Sequence, residues 1–144
     1  DTAVLRYAAD RPELDEHERF QLIDQIPYEL RHRRHCLVAA GSSGQHLLVS
    51  RGNPDRILEV ASQIRVGREQ QRLDGPSRTQ LLQQIRVQVH QGYFVQLIAT
   101  RLIPPNHAKR LYSPADERNL TVEGLLVLST GDPDEAEALP NPHG

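Results

Sequence analysis

Clusters of turn-forming residues cut this chain too finely for long helices. Gly41-Ser42-Ser43-Gly44, Gly52-Asn53-Pro54-Asp55, Asp74-Gly75-Pro76-Ser77, Pro104-Pro105 and Gly131-Asp132-Pro133-Asp134 punctuate its 144 residues. Glycine accepts positive φ, proline fixes φ, and short polar side chains bond to their own backbone, so each cluster ends an element. Short strands and short helices must lie between them. The apolar runs are only a handful of residues, far below the roughly 20 needed to span a bilayer.

The apolar spacing assigns those elements. Leu14, Phe20 and Ile23 predict a helix from Leu14 to Ile23, with Asp15 and Glu16 in its first turn, and Pro27 either breaks the pattern or opens a short helix to Arg33. His35 to Ala40 and His46 to Ser50 flank Gly41-Ser42-Ser43-Gly44 and read as a β-hairpin. Asn53 and Pro54 start a helix expected to reach Val66, with Ile57, Leu58, Ala61 and Ile64 as its buried face and Gly67 as its stop. Glu69 to Leu73 is a short strand. Ser77 caps a helix from Arg78 to His90, with Leu81, Leu82, Ile85 and Val89 inward and Gly92 after it. Tyr93 to Ile103 is a strand or a short connecting element. Leu120 to Ser129 is a strand kinked at Gly124, and Glu135 to Leu139 opens a helix. The fold class is α+β: a small antiparallel or mixed sheet flanked by short helices.

One pattern recurs. Leu47 to Asp55 and Leu126 to Asp134 each run strand, glycine, Asn or Asp, then Pro-Asp, and Ile26-Pro27 and Ile103-Pro104 precede them at similar distances. Such turns recur by chance because Asn and Asp are good helix caps. The alternative is a tandem copy of one strand–turn–helix unit: residues 1–92, then a shorter related unit over residues 93–144, with packing as one domain also open.

Composition excludes several classes of function. With 17 basic and 19 acidic residues the formal charge is −2, so no positive excess drives nucleic-acid binding. The single cysteine, Cys36, excludes an internal disulfide and a four-thiolate zinc site, and its apolar setting reads as a small buried hydrophobe. Asp1 to Asp15 is acidic and polar, unlike a signal peptide. The chain begins without Met and ends in Pro140-Asn141-Pro142-His143-Gly144, as expected of a piece of something larger. Gly41-Ser42-Ser43-Gly44 joins two strands, so it is not a phosphate loop ahead of a helix. Ser42, Ser43, His46 and Asp55 sit in no nucleophile-elbow context, and an enzyme is the least favoured class.

Arg31-His32-Arg33-Arg34-His35 is the densest charge cluster. His32 and His35 share a helical spacing, but the arginines oppose a cation, so no metal is expected. A solvated surface patch is the plain reading. The functional one makes Arg31, His32, Arg33, Arg34, Arg51 and Arg56 a weak binding site for an acidic partner, a phosphate or a nucleotide.

The order Ile26-Pro27, an Arg/His-rich helix, a strand over His35 to Val38, and Leu47 through Ile64 resembles the N-terminal domain of the ATPases that power type II secretion and type IV pilus assembly. The same domain type is attached to some bacterial membrane glycosyltransferases. Ile103 to Arg110 and Leu125 through Leu139 are similar. The resemblance implies a non-catalytic docking or regulatory domain of a bacterial envelope-associated machine. It would be cytoplasmic, peripheral at the inner membrane through a membrane-associated protein partner or the rest of its parent chain, and without a cofactor. One branch of that family binds cyclic di-GMP, so a nucleotide second-messenger sensor is the alternative. Its Arg-Leu-Gly motif is unmet here, because Asp74 follows Arg72-Leu73. A Gly-x-x-x-x-Gly-Lys-Ser/Thr stretch is absent from the sequence.

Overall fold

The computed structural model describes residues 20–26 and 32–129. Seven strands form one open mixed sheet: β1 (Phe20–Ile26), β2 (Arg34–Gly41), β3 (His46–Gly52), β4 (Ala61–Val66), β5 (Glu69–Arg72), β6 (Tyr93–Ile103) and β7 (Leu120–Ser129). Their spatial order is β1-β2-β3-β6-β7-β4-β5. All neighbours pair antiparallel except β4 and β7, which run parallel. Among the described residues two helices, α1 (Pro54–Val60) and α2 (Gly75–His90), accompany the sheet in an α+β fold. The segments on either side of residue 92 interleave, with β6 and β7 lying between β3 and β4.

Alternation along the strands sorts side chains to two faces. Val95, Leu97 and Ala99 of β6, with Leu120 and Val122 of β7, meet Ile57 and Leu58 of α1 and Leu81 and Ile85 of α2. Cys36, Val38, Leu48 and Ile103 extend this helix-covered face toward β1. Phe20, Ala39, Leu47 and Val49 cluster on the opposite face, beside Ile98 and Leu102.

The hairpin predicted around Gly41-Ser42-Ser43-Gly44 forms, with Gly44 at φ +87°. Other expectations need correction. Phe20–Ile26 is an edge strand, not the end of a helix. A bulge between Leu22 and Asp24 puts Phe20 and Ile26 on opposite faces despite their even spacing. Spacing at every third residue thus mimicked a helix. Of the helix expected from Pro27, only His32 and Arg33 are described; His32 lies in a turn and Arg33 has φ +52°, so neither is helical. Helix α1 stops at Val60, and Ala61 turns straight into β4. Sheet pairing on both sides outweighs the helical stripe through Ile64, which meets the same core from a strand. Gly67, at φ +62°, therefore turns a hairpin and does not end a helix. Helix α2 is capped by Asp74, which accepts from Ser77 N at 3.0 Å while Ser77 Oγ accepts from Asp74 N at 3.0 Å. The expected cap, Ser77, is the third residue of a reciprocal box. Between Ile103-Pro104 and β7 lie two short 3-10 turns, Pro105–His107 and Pro114–Asp116. Asp132 and the helix expected from Glu135 lie outside the described residues.

Candidate functional site

The end of the β2–β3 hairpin that feeds α1 gathers most of the basic residues singled out above. The two strands close tightly here. A Cβ on Gly52 would sit 2.2 Å from the carbonyl oxygen of Arg33, so only glycine fits. Asn53 N donates to that same oxygen at 3.1 Å, and Asn53 Oδ1 accepts from Asp55 N at 3.0 Å to start α1. The chain therefore leaves β3 at a fixed angle.

Alternation then divides the arginines. Arg34 points into the helix-covered face, where its Nε donates to Glu117 Oε1 at 3.2 Å and its Nη1 lies 3.5 Å from the carbonyl of Arg56. Ser50 Oγ donates to the same Glu117 oxygen at 2.8 Å. The side chains of Arg34 and Glu117 are 5% and 2% exposed, so this cation is spent internally and does not face solvent. Arg56 is on the outside of α1 and pairs with Glu59 at 2.9 Å. His32 and Arg33 are half-buried beside the corner, and Arg31 lies outside the described residues.

Arg51 takes the other face. It sits in β3 directly opposite His35 of β2 and Ile98 of β6. Both basic side chains are half-buried. No carboxylate pairs with Arg51 among the described residues, and burial alone pulls its pKa downward. The guanidinium still keeps its charge at any accessible pH. His35 Nε2 lies 3.1 Å from Gln25 Oε1. Burial lowers the His35 pKa, Arg51 lowers it further, and Glu117 acts in the opposite direction. Two groups that repel when both are charged are thus held face to face, an arrangement that an anion would relieve.

Gln96 lies diagonal to Arg51 on β6, on the same face. Its Oε1 is buried with no hydrogen-bond partner among the described residues. Gly124 of β7 lies opposite Ile98. Further along this face, Arg65 Nε meets Glu123 Oε1 at 2.8 Å and Thr100 Oγ1 donates to Glu123 Oε2 at 2.6 Å. Burial still pushes the Glu123 carboxyl up to about 7.

The arrangement can hold an anion through Arg51. It offers no nucleophile: Cys36 is fully buried, and desolvation raises its thiol to about 12. No three His, Cys, Asp or Glu side chains gather for a metal among the described residues. Sequence reasoning missed Glu117 and Gln96. Glu117 leaves no local signal, since its partner Arg34 is 83 positions away. Gln96 was findable as the polar interruption of the apolar run from Phe94 to Ile98.

A family model for the P-type ATPase, cytoplasmic domain N, matches residues 1–133. The chain belongs to that family. Among its relatives is the magnesium-transporting ATPase, P-type 1, of Escherichia coli (strain K12), 32% identical over 127 residues. The protein of that name from Salmonella typhimurium (strain LT2) is 31% identical over 128 residues. Each match covers 88% of this chain and 14% of the relative, so the chain spans about a seventh of their length. The P-type ATPase match overturns the resemblance to secretion and pilus ATPases, and with it the docking role in such a machine and the cyclic di-GMP alternative. That resemblance rested on hairpin and capping chemistry that many folds share. The bacterial relatives and a link to transport agree with expectation. The expectation that this chain is no enzyme is not supported, because the relatives are ATPases by name, and the chain matches 14% of their length. The family is described as a cytoplasmic domain, and among the described residues no helix is long and apolar enough to cross a membrane.

Proposed function

We propose that this chain is the cytoplasmic N domain of a magnesium-transporting P-type ATPase and that its Arg51 face receives ATP. The relatives carry the transported ion and the ATPase activity in their names. The sequence lacks a phosphate loop, so the nucleotide has to be held by other means. One observation carries the reading: Arg51 is a half-buried guanidinium without a carboxylate partner among the described residues, set against His35 and beside the unsatisfied Oε1 of Gln96. Arg51 contacts a phosphate oxygen or stacks on the base, and His35 adds a second donor. Arg33 stands at the rim. The domain's protein partner is the rest of its own parent chain, which holds it at the inner membrane.

The test is ATP-dependent turnover of the full-length parent protein. A charge-assisted contact contributes about 1.5–3 kcal/mol, so Arg51→Gln should raise KM for ATP roughly tenfold to a hundredfold. A folded Arg51→Gln protein with an unchanged KM would refute the assignment.

A further inference from the structure

We infer that Glu117 is a positioning residue for the Arg51 site, acting from the opposite face of the sheet. The inference rests on the nucleotide reading above. Glu117 follows the 3-10 turn Pro114–Asp116, just ahead of β7. A single carboxylate oxygen, Oε1, accepts from Arg34 Nε of β2 at 3.2 Å and from Ser50 Oγ of β3 at 2.8 Å. The next residue along each strand is His35 and Arg51 respectively. Neighbours in a strand project to opposite faces, so a bond that fixes Arg34 and Ser50 from behind also fixes the pair in front. Arg34 and Ser50 lie two registers apart, opposite Gly52 and Cys36, so Glu117 bridges the two strands diagonally.

Three further contacts hold the loop that brings Glu117 in. Tyr112 Oη meets His46 Nδ1 at 2.7 Å, Lys109 Nζ pairs with Asp116 Oδ1 at 2.5 Å, and Arg101 Nη1 donates to the Asp116 carbonyl at 2.9 Å. The carboxylate is thus delivered by an anchored loop. It neutralises Arg34 and leaves Arg51 as the charge that meets the ligand.

The experiment compares Glu117→Ala, Ser50→Ala and Arg51→Gln in the full-length parent protein, with folding checked by limited proteolysis. Misplacing a contact group weakens binding steeply, so Glu117→Ala should raise KM for ATP about tenfold with kcat unchanged. Ser50→Ala loses one hydrogen bond to the Glu117 carboxylate, which keeps its Arg34 partner, so it should raise KM about threefold. A general loss of structure would instead lower the active fraction and leave KM alone. If Glu117→Ala does not fold, Ser50→Ala decides by itself. Folded variants with wild-type KM, alongside an Arg51→Gln protein whose KM rises, would overturn the role of Glu117 and spare the nucleotide site. An unchanged KM in Arg51→Gln would remove both.

Discussion

Glu123 shows how position outweighs partners at the level of one residue. Its side chain is 1% exposed and bonded to Arg65 and Thr100, yet burial lifts its carboxyl from the ordinary 4.5 to about 7. The folded state therefore prefers the protonated form. Its favourable contribution is complete below pH 4.5 and is lost as pH rises through about 7. Relative to Glu123→Gln, the wild-type chain should lose up to about 3 kcal/mol of stability across that window. Denaturant titrations of both proteins at several pH values would show it, and a difference independent of pH would contradict it. The sequence identified Arg51 as a candidate but could not separate it from Arg34. One has a buried carboxylate and the other does not, and that distinction is made by Glu117, far along the chain.

At the level of elements, helix α2 depends on its first turn. Ser77 donates its backbone N–H and its hydroxyl to Asp74, which holds the Asp74 carboxyl below its ordinary value. The cap's contribution is therefore present above the ordinary carboxylate range and fades as pH falls through the lowered value. Asp74→Ala should lower the melting temperature at neutral pH, and the deficit should shrink in acid. A constant deficit would argue against the cap. The hairpin of β2 and β3, helix α2 and strand β7 were legible because turn residues and apolar pattern agreed there, whereas Tyr93–Ile103 stayed open between a strand and a connecting element. Phe20–Ile26 and Ala61–Val66 were not legible. A bulge disguised the first, and pairing to distant β7 and adjacent β5 overrode local helix preference in the second.

Across the whole molecule, β6 is the middle strand of the sheet and Leu97 is its fully buried centre, packed under both helices. Leu97→Ala should cost about 2–5 kcal/mol by chemical denaturation. A loss below about 1 kcal/mol would mean that the core is not continuous there. The strand order has a consequence for assembly on the ribosome. As the nascent chain emerges, β1 to β3 can pair at once and β4 can fold back on β5, but β6 joins only the first group. β7 alone bonds to both β6 and β4. Until Leu120 to Ser129 has been synthesised, the hairpin of β4 and β5 has no neighbouring strand, and the fold stays in two pieces awaiting the one that joins them.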